Sequence, residues 1–191
     1  MAQYALPVSD NVTTNWTEDA GDGDGNAFDE LDEGFGAGRG SGSGPDDATT
    51  YWGTTVDLAQ ISTIIGALIE PAVDTGHIVR IRSRKSAAAG QQQDHRVNIN
   101  FANPNTTFSA VDEVWTSREV TLTEAQASSL ATHYDTGELT LFLRVDEVGG
   151  GAGRVGQCSA MEFECPDYPA TPAFADAKLP AQNSYVGPFS S

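Results

Sequence analysis

The chain has 191 residues, enough for one domain that buries roughly 70% of its unfolded surface without stapling. Its 27 acidic residues against 10 basic ones give a net charge of −17, a field that repels phosphate and speaks against DNA or RNA as partners. No apolar run reaches about 18 residues, and the opening MAQYALPVSD has neither the basic start nor the apolar core of a secretion signal, so the chain is expected to be soluble, off the membrane and not exported by that route.

Hydrophobic residues make up 39% of the chain, and its 20 Gly and 9 Pro fall at short intervals between β-type runs, which predicts an all-β sandwich or barrel. The only lysines are Lys85 and Lys178. Excess Asp with little Lys fits either a protein kept soluble in high salt or a GC-rich genome that favours Arg.

In chain order, a short β-like piece from Val12 to Thr17 comes first, with Trp16 as its core anchor. The Gly- and Asp-rich stretch 18–47 then reads as a long surface loop pinned by Phe28, Leu31 and Phe35. Inside it Asp22, Asp24, Asn26 and Glu33 occupy positions one, three, five and twelve of a calcium-loop template. The template requires Gly where Ala27 stands and an apolar residue where Asp29 stands, so a solvated acidic loop is the favoured reading and a non-helical calcium site the second.

The run 49–69 carries apolar residues at both parities. Ile61 and Ile65 fall on one side and Ile64 and Leu68 on the other, as in a strand buried on both faces, while a helix from Asp57 also fits the spacing. Three isoleucines and Thr63 favour the strand.

From His77 to Ala102, periodicity, charge and turn signals agree. Val79, Ile81 and Ser83 alternate with Arg80, Arg82 and Arg84, and Val97, Ile99 and Phe101 with Arg96, Asn98 and Asn100. The small, polar residues between the two runs suggest the tip of a β-hairpin carrying an arginine stripe on its wet face. Arg80, Arg82, Arg84, Arg96 and Arg144 are thus the candidate binding surface, suited to a phosphate, an acidic sugar or a partner's carboxylates. The plainer reading is a ladder of exposed salt bridges.

Residues 103–107 read as a Pro-containing turn and 108–122 as strand-like, with Val111, Val114, Trp115 and Val120. Thr123 and Gln126 form a capping box that opens one short helix, ending near His133 with Leu130 and Tyr134 on its apolar edge. Gly137 then turns the chain into a strand from Glu138 to Val145 with Leu139, Leu141, Leu143 and Val145 inward.

The glycines of Gly151-x-Gly153-x-x-Gly156 match a dinucleotide fingerprint but lead into a strand rather than a helix, so they bind no pyrophosphate. In that strand, 154–165, alternation places Val155, Ser159, Met161, Phe163 and Cys165 inward and Glu162 and Glu164 outward, as cross-strand partners for the arginines. Cys158 and Cys165 should lie about 23 Å apart at 3.3 Å per residue, beyond disulfide reach, one in the core and one outside it.

From residue 167 to 191 the pattern becomes an extended Pro-rich arm. Tyr168, Phe174, Tyr185 and Phe189 are spaced along it as anchors for binding a surface in assembly. The domain proper is 1–166.

Catalytic signals are lacking: His77, His95 and His133 show no metal-ligand spacing, no nucleophile elbow occurs, and no carboxylate pair is singled out. No catalytic residue and no cofactor other than the calcium option is therefore expected.

The succession of Trp16, FDELDE at 28–33, PDDATTY at 45–51, GHIVRIRSRKS at 76–86, LTEAQ at 122–126, LRV at 143–145 and MEFECP at 161–166 resembles a group of small virion proteins of tailed viruses. These are jelly-roll β-sandwiches similar to carbohydrate-binding modules. The resemblance implies a jelly-roll-like antiparallel sandwich serving as a non-enzymatic virion structural protein. A capsid decoration or stabilising subunit, homo-oligomeric and bound to other virion proteins, is the main expectation. The rival is a carbohydrate-binding receptor module of a tail or fibre, with a secreted glycan hydrolase third. Aromatics on the sheet face around the arginine stripe would favour glycans, and by sequence only Phe142 is so placed.

Overall fold

The structure, a computed structural model, describes residues 2–36, 45, 47, 49–86, 92–100, 103–109, 111, 113–134, 136–137, 139–148 and 156–167. The elements run β1 (Ala2–Ala5), β2 (Pro7–Thr14), β3 (Thr17–Ala20), α1 (Ala27–Glu30), β4 (Tyr51–Thr54), β5 (Gln60–Ile65), β6 (Ile78–Lys85) and β7 (Gln92–Ile99). They continue as β8 (Asn103–Phe108), β9 (Thr116–Thr121), α2 (Glu124–Ser128), α3 (Ala131–Tyr134), β10 (Thr140–Val148) and β11 (Gly156–Pro166). One sheet has the order β3-β4-β11-β6-β9, with β1 also on β11; the other has the order β2-β5-β10-β7-β8. All pairings are antiparallel, and the two sheets form a jelly-roll-like β-sandwich.

Local alternation sets what each strand buries. Val79 and Ile81 of β6, Val97 and Ile99 of β7, Leu141, Leu143 and Val145 of β10 and Met161 and Phe163 of β11 all lie in one core. The stretch 60–65 is a strand, with Ile61, Thr63 and Ile65 inward and Ser62 and Ile64 on the other face. The capping box forms as expected: Thr123 N–H donates to Gln126 Oε1 at 2.8 Å, and Gln126 N–H to Thr123 Oγ1 at 3.3 Å. The helical stretch divides into α2 and α3, and a further short helix, α1, lies within 18–47.

Four expectations are corrected. The first concerns the hairpin: β6 and β7 do not pair, because β6 lies between β11 and β9 and β7 between β10 and β8. They face each other across the core, where His95 Nδ1 and Ser83 Oγ are 2.9 Å apart. Alternation is a property of one strand, whereas pairing is decided by which neighbours bury its inner face.

The second is parity in β11. A bulge between Cys158 and Ala160 inserts one residue, so Gln157 faces out, Cys158 faces in, and Ser159 and Ala160 both lie on the outer side. Ser159 is therefore not inward, and both cysteines are fully buried, free thiols. The third is 103–107, a strand rather than a turn; Pro104 is tolerated because β8 is the edge of its sheet.

The fourth is the N-terminus, where three strands replace the single piece expected at 12–17. β4 and β1 share one edge of β11, opposite Gly156–Cys158 and Phe163–Pro166 respectively. In the gap between them Met161 N–H donates to the Leu31 carbonyl at 3.0 Å. The segment after α1 is thus built into the sheet edge, with Leu31 buried beneath it.

Candidate functional site

The outer face of the β3-β4-β11-β6-β9 sheet is built from rows of residues that register brings side by side. One row crosses the whole sheet: Thr17 opposite Gly53, Gly53 opposite Gln157, and Gln157 opposite Arg84. β9 closes it, since Ser83 is opposite Thr116 and Trp115 precedes that residue. Arg84 Nε donates to Gln157 Oε1 at 2.7 Å, and Gln157 Nε2 donates to Asp19 Oδ2 at 3.2 Å. The Arg84 guanidinium lies 4.5 Å from the Trp115 ring centroid and 5.8 Å from that of Tyr51. The two rings meet edge to face at 5.6 Å, and both are half-buried.

Gly53 contributes no side chain to this row. Beside it opens a cleft of about 250 Å³ lined by Asn15, Thr17, Asp19, Thr54 and Val56. The row therefore runs from a polar cleft over Gln157 and Arg84 to an aromatic corner.

The neighbouring rows are occupied by the chain itself. Arg80 pairs with Glu162 at 2.9 Å, with Glu119 at 3.3 Å and with Glu164. The Phe35 N–H donates to the other Glu162 oxygen at 3.1 Å. Arg82 Nε donates to Asp47 at 2.6 Å, and Asp47 also accepts from Ser159 Oγ at 2.9 Å. The expected partnership of the arginines with Glu162 and Glu164 thus holds for Arg80 alone. Among the described residues no carboxylate pairs with Arg84.

Arg96 and Arg144 do not belong to this surface. They lie on the outer face of the other sheet and share Asp146, with Arg96 at 2.9 Å and Arg144 at 2.6 Å. Phe142 lies on that face too, and it is buried. The single five-arginine stripe is corrected to two separate groups, because β6 and β7 belong to different sheets.

The calcium template is rearranged by the fold. Asp22 and Asp24 come together with Glu18 and Glu30, and one oxygen from each lies within 4.8 Å of the others. Four carboxylates in that space could hold a divalent cation. Asn26 is bonded to Asp24, its N–H to Oδ1 at 2.8 Å, while Glu33 stands apart and accepts from Thr50 Oγ1 at 2.9 Å. Gly21 runs so close to Glu18 and Glu30 that a Cβ there would push their carboxylates aside. Glu30 is buried and accepts from Trp52 Nε1 at 2.9 Å. Loss of water, with Asp29 and Glu18 adding repulsion, pushes its carboxyl up to about 7. The reading of a wholly solvated acidic loop is corrected at this residue.

The sequence missed Tyr51, Trp115, Gln157 and Asp19, which stand on three different strands and on the loop before β9. The available signal was the position of Trp115 just before a strand that carries no apolar anchor on its outer side. The assembly-arm residues Tyr168, Phe174, Tyr185 and Phe189, and the glycines 149–155, lie outside the described residues. No helix among those described is long and apolar enough to cross a membrane.

No protein-family model matches the sequence, and no curated protein matches it. Among solved structures the chain is similar to SGBP-B from a complex xyloglucan utilization locus in Bacteroides uniformis, with a TM-score of 0.44 and 8% identity, covering 82% of this chain. It spans about half of that protein, 49% of its length. It is also similar to the CBM35 of Cellvibrio japonicus Abf62, with a TM-score of 0.35 and 10% identity over 87% of this chain and 94% of that one.

Proposed function

We propose that the protein is a non-catalytic glycan-binding module whose site is the row from the Asn15–Asp19 cleft to Trp115. The observation that carries the reading is the corner in which Tyr51, Trp115 and Arg84 meet beside Gln157. A sugar ring offers apolar C–H faces to aromatic side chains and hydroxyls to planar polar groups, and this row supplies both kinds side by side on one outer face of the sheet. The aromatics that the sequence lacked around the arginine stripe come from β4 and the residue just before β9.

Catalysis is left out of the proposal because of where the reactive pairings sit. Ser83 and His95 are hydrogen-bonded, but both are fully buried between the sheets, out of a substrate's reach. A place on a virus particle is a separate proposal, supported by the sequence resemblance. Counting copies per particle tests it: hundreds mark a head decoration and a few mark a tail or fibre.

The test of glycan binding is affinity electrophoresis against a panel of neutral and acidic polysaccharides, with Trp115→Ala and Tyr51→Ala as controls. Retardation of the wild type by at least one glycan, lost in both variants, is the expected result. A wild type that no glycan retards overturns the reading.

A further inference from the structure

We propose that the glycan this groove takes is anionic, carrying a carboxylate or a sulfate ester, and that Arg84 holds it through that oxyanion; the inference rests on the glycan-binding reading above. The argument begins with charge. In a chain with 27 acidic and 10 basic residues, an arginine is expected to be claimed by a carboxylate. Arg80, Arg82, Arg96 and Arg144 are so claimed. Arg84 has no such partner among the described residues, although it stands in the same stripe as Arg80 and Arg82.

What holds Arg84 instead leaves its binding edge open. The cation–π contact with Trp115, 4.5 Å from Cζ to the ring centroid, holds the guanidinium without a carboxylate. Nε is committed to Gln157 at 2.7 Å, which fixes the orientation of the plane. The terminal Nη1 and Nη2 form the edge that matches two oxygens of a carboxylate or sulfate. The acid nearest along the row, Asp19, is kept from Arg84 by Gln157, which takes its Oδ2 at 3.2 Å. Gln157 thus acts as a spacer that keeps the arginine available.

The remaining side chains suit a sugar rather than a free anion. Tyr51 and Trp115 offer an apolar platform beside Arg84, and the cleft at Asn15, Thr17 and Asp19 offers hydroxyl and amide partners for a second ring. The net charge of −17 opposes an anionic polymer at long range. At about 0.15 M salt, where the screening length is roughly 8 Å, the contact at Arg84 outlasts that repulsion.

Isothermal titration at that ionic strength separates the inference from the reading beneath it. The probes are a homogalacturonan oligomer (carboxylate), a sulfated galactan oligomer (sulfate ester) and a cello-oligomer (neutral). At least one anionic probe is expected to bind tenfold or more tighter than the neutral one. Arg84→Gln should lower that affinity at least tenfold, weaken any neutral binding far less, and shift the melting temperature by no more than about 2–4 °C, with Arg84→Lys recovering only part of the anionic affinity. If neutral and anionic oligomers bind alike, or Arg84→Gln weakens both equally, the anionic assignment falls while glycan binding stands. Failure of all three probes to bind the wild type overturns the assignment, and the wider panel decides the reading. The stronger of the two anionic responses identifies the oxyanion.

Discussion

Arg80 Nη1 lies 2.9 Å from Oε1 of Glu162, a carboxylate whose side chain is 0% exposed although it points away from the core. The segment around Phe35 covers it and donates a backbone N–H to its second oxygen. The outer face of this sheet is therefore half interior. The same arginine stripe contains one member that balances a buried charge and another, Arg84, that lies against an aromatic ring on a half-exposed face.

That contrast predicts unequal costs. Arg80→Gln leaves a buried carboxylate without its charge partner and is expected to cost about 3–5 kcal/mol. Arg84→Gln loses one hydrogen bond and a stacking contact at a half-exposed site, a cost of about 1 kcal/mol or less. Urea unfolding of the two variants measures the difference. Equal small losses would mean that Glu162 is reached by water and the stripe is a surface ladder throughout.

Cys158 and Cys165 are both buried, and desolvation first, aided at Cys165 by Glu164 and Asp167, pushes each thiol up to about 12. Neither should react with a thiol reagent at about pH 8 until the protein is denatured, when both should. One fast-reacting thiol in the native state would restore the simple alternation of β11 and remove the bulge. Deleting Ser159 tests the same point from the other side. Because Ser159 is the inserted residue, its loss leaves Gln157 outward, Cys158 inward and Ala160 opposite Arg82, so the domain is expected to fold at a modest cost; a deletion that abolishes folding would contradict the bulge.

Glu30 predicts an inverted pH effect. Its folded carboxyl, raised to about 7 by burial and by Asp29 and Glu18, stands above its unfolded value of 4.5, so the folded state holds the proton more tightly. Its contribution to stability is greatest below the unfolded value and is lost as pH rises through about 7. Glu30→Gln should therefore stabilise the protein at about pH 8, by up to roughly 3 kcal/mol, and have little effect at about pH 5. The comparison belongs in chelator-treated buffer, since a divalent cation at Glu18, Asp22, Asp24 and Glu30 would relieve the same repulsion. A variant less stable than wild type at both pH values would contradict this assignment.

The buried histidines act in the opposite sense. Burial, with Arg118 close by, lowers His95 to about 3, and burial likewise lowers His77. Both stay neutral in the fold, so the stability they allow is complete above the unfolded value near 6.5 and is lost progressively as pH falls below it. The His95 ring signals in nitrogen-detected NMR should hold one tautomer from about pH 8 to pH 5, since Ser83 and Gln93 occupy its two nitrogens. Titration of that ring near 6.5 would show that its site is open to water.

Much of the fold was legible because it is local. Alternation along β6 and β10 identified the inward faces of Val79, Ile81, Leu141 and Leu143, since a strand turns successive side chains to opposite sides whatever it pairs with. The cap at Thr123 was legible for the same reason, its two hydrogen bonds spanning three residues. The tertiary structure alone decided that β6 and β7 lie in different sheets, and with that the separation of Arg96 and Arg144 from Arg80, Arg82 and Arg84. It alone placed the bulge in β11, because an extra residue is accommodated by the neighbouring strands and carries no composition of its own. The candidate site belongs to this second class. Tyr51, Trp115, Gln157 and Asp19 reach Arg84 only through the register of five strands, and register is set by the burial of the opposite face, not by the residues that end up exposed.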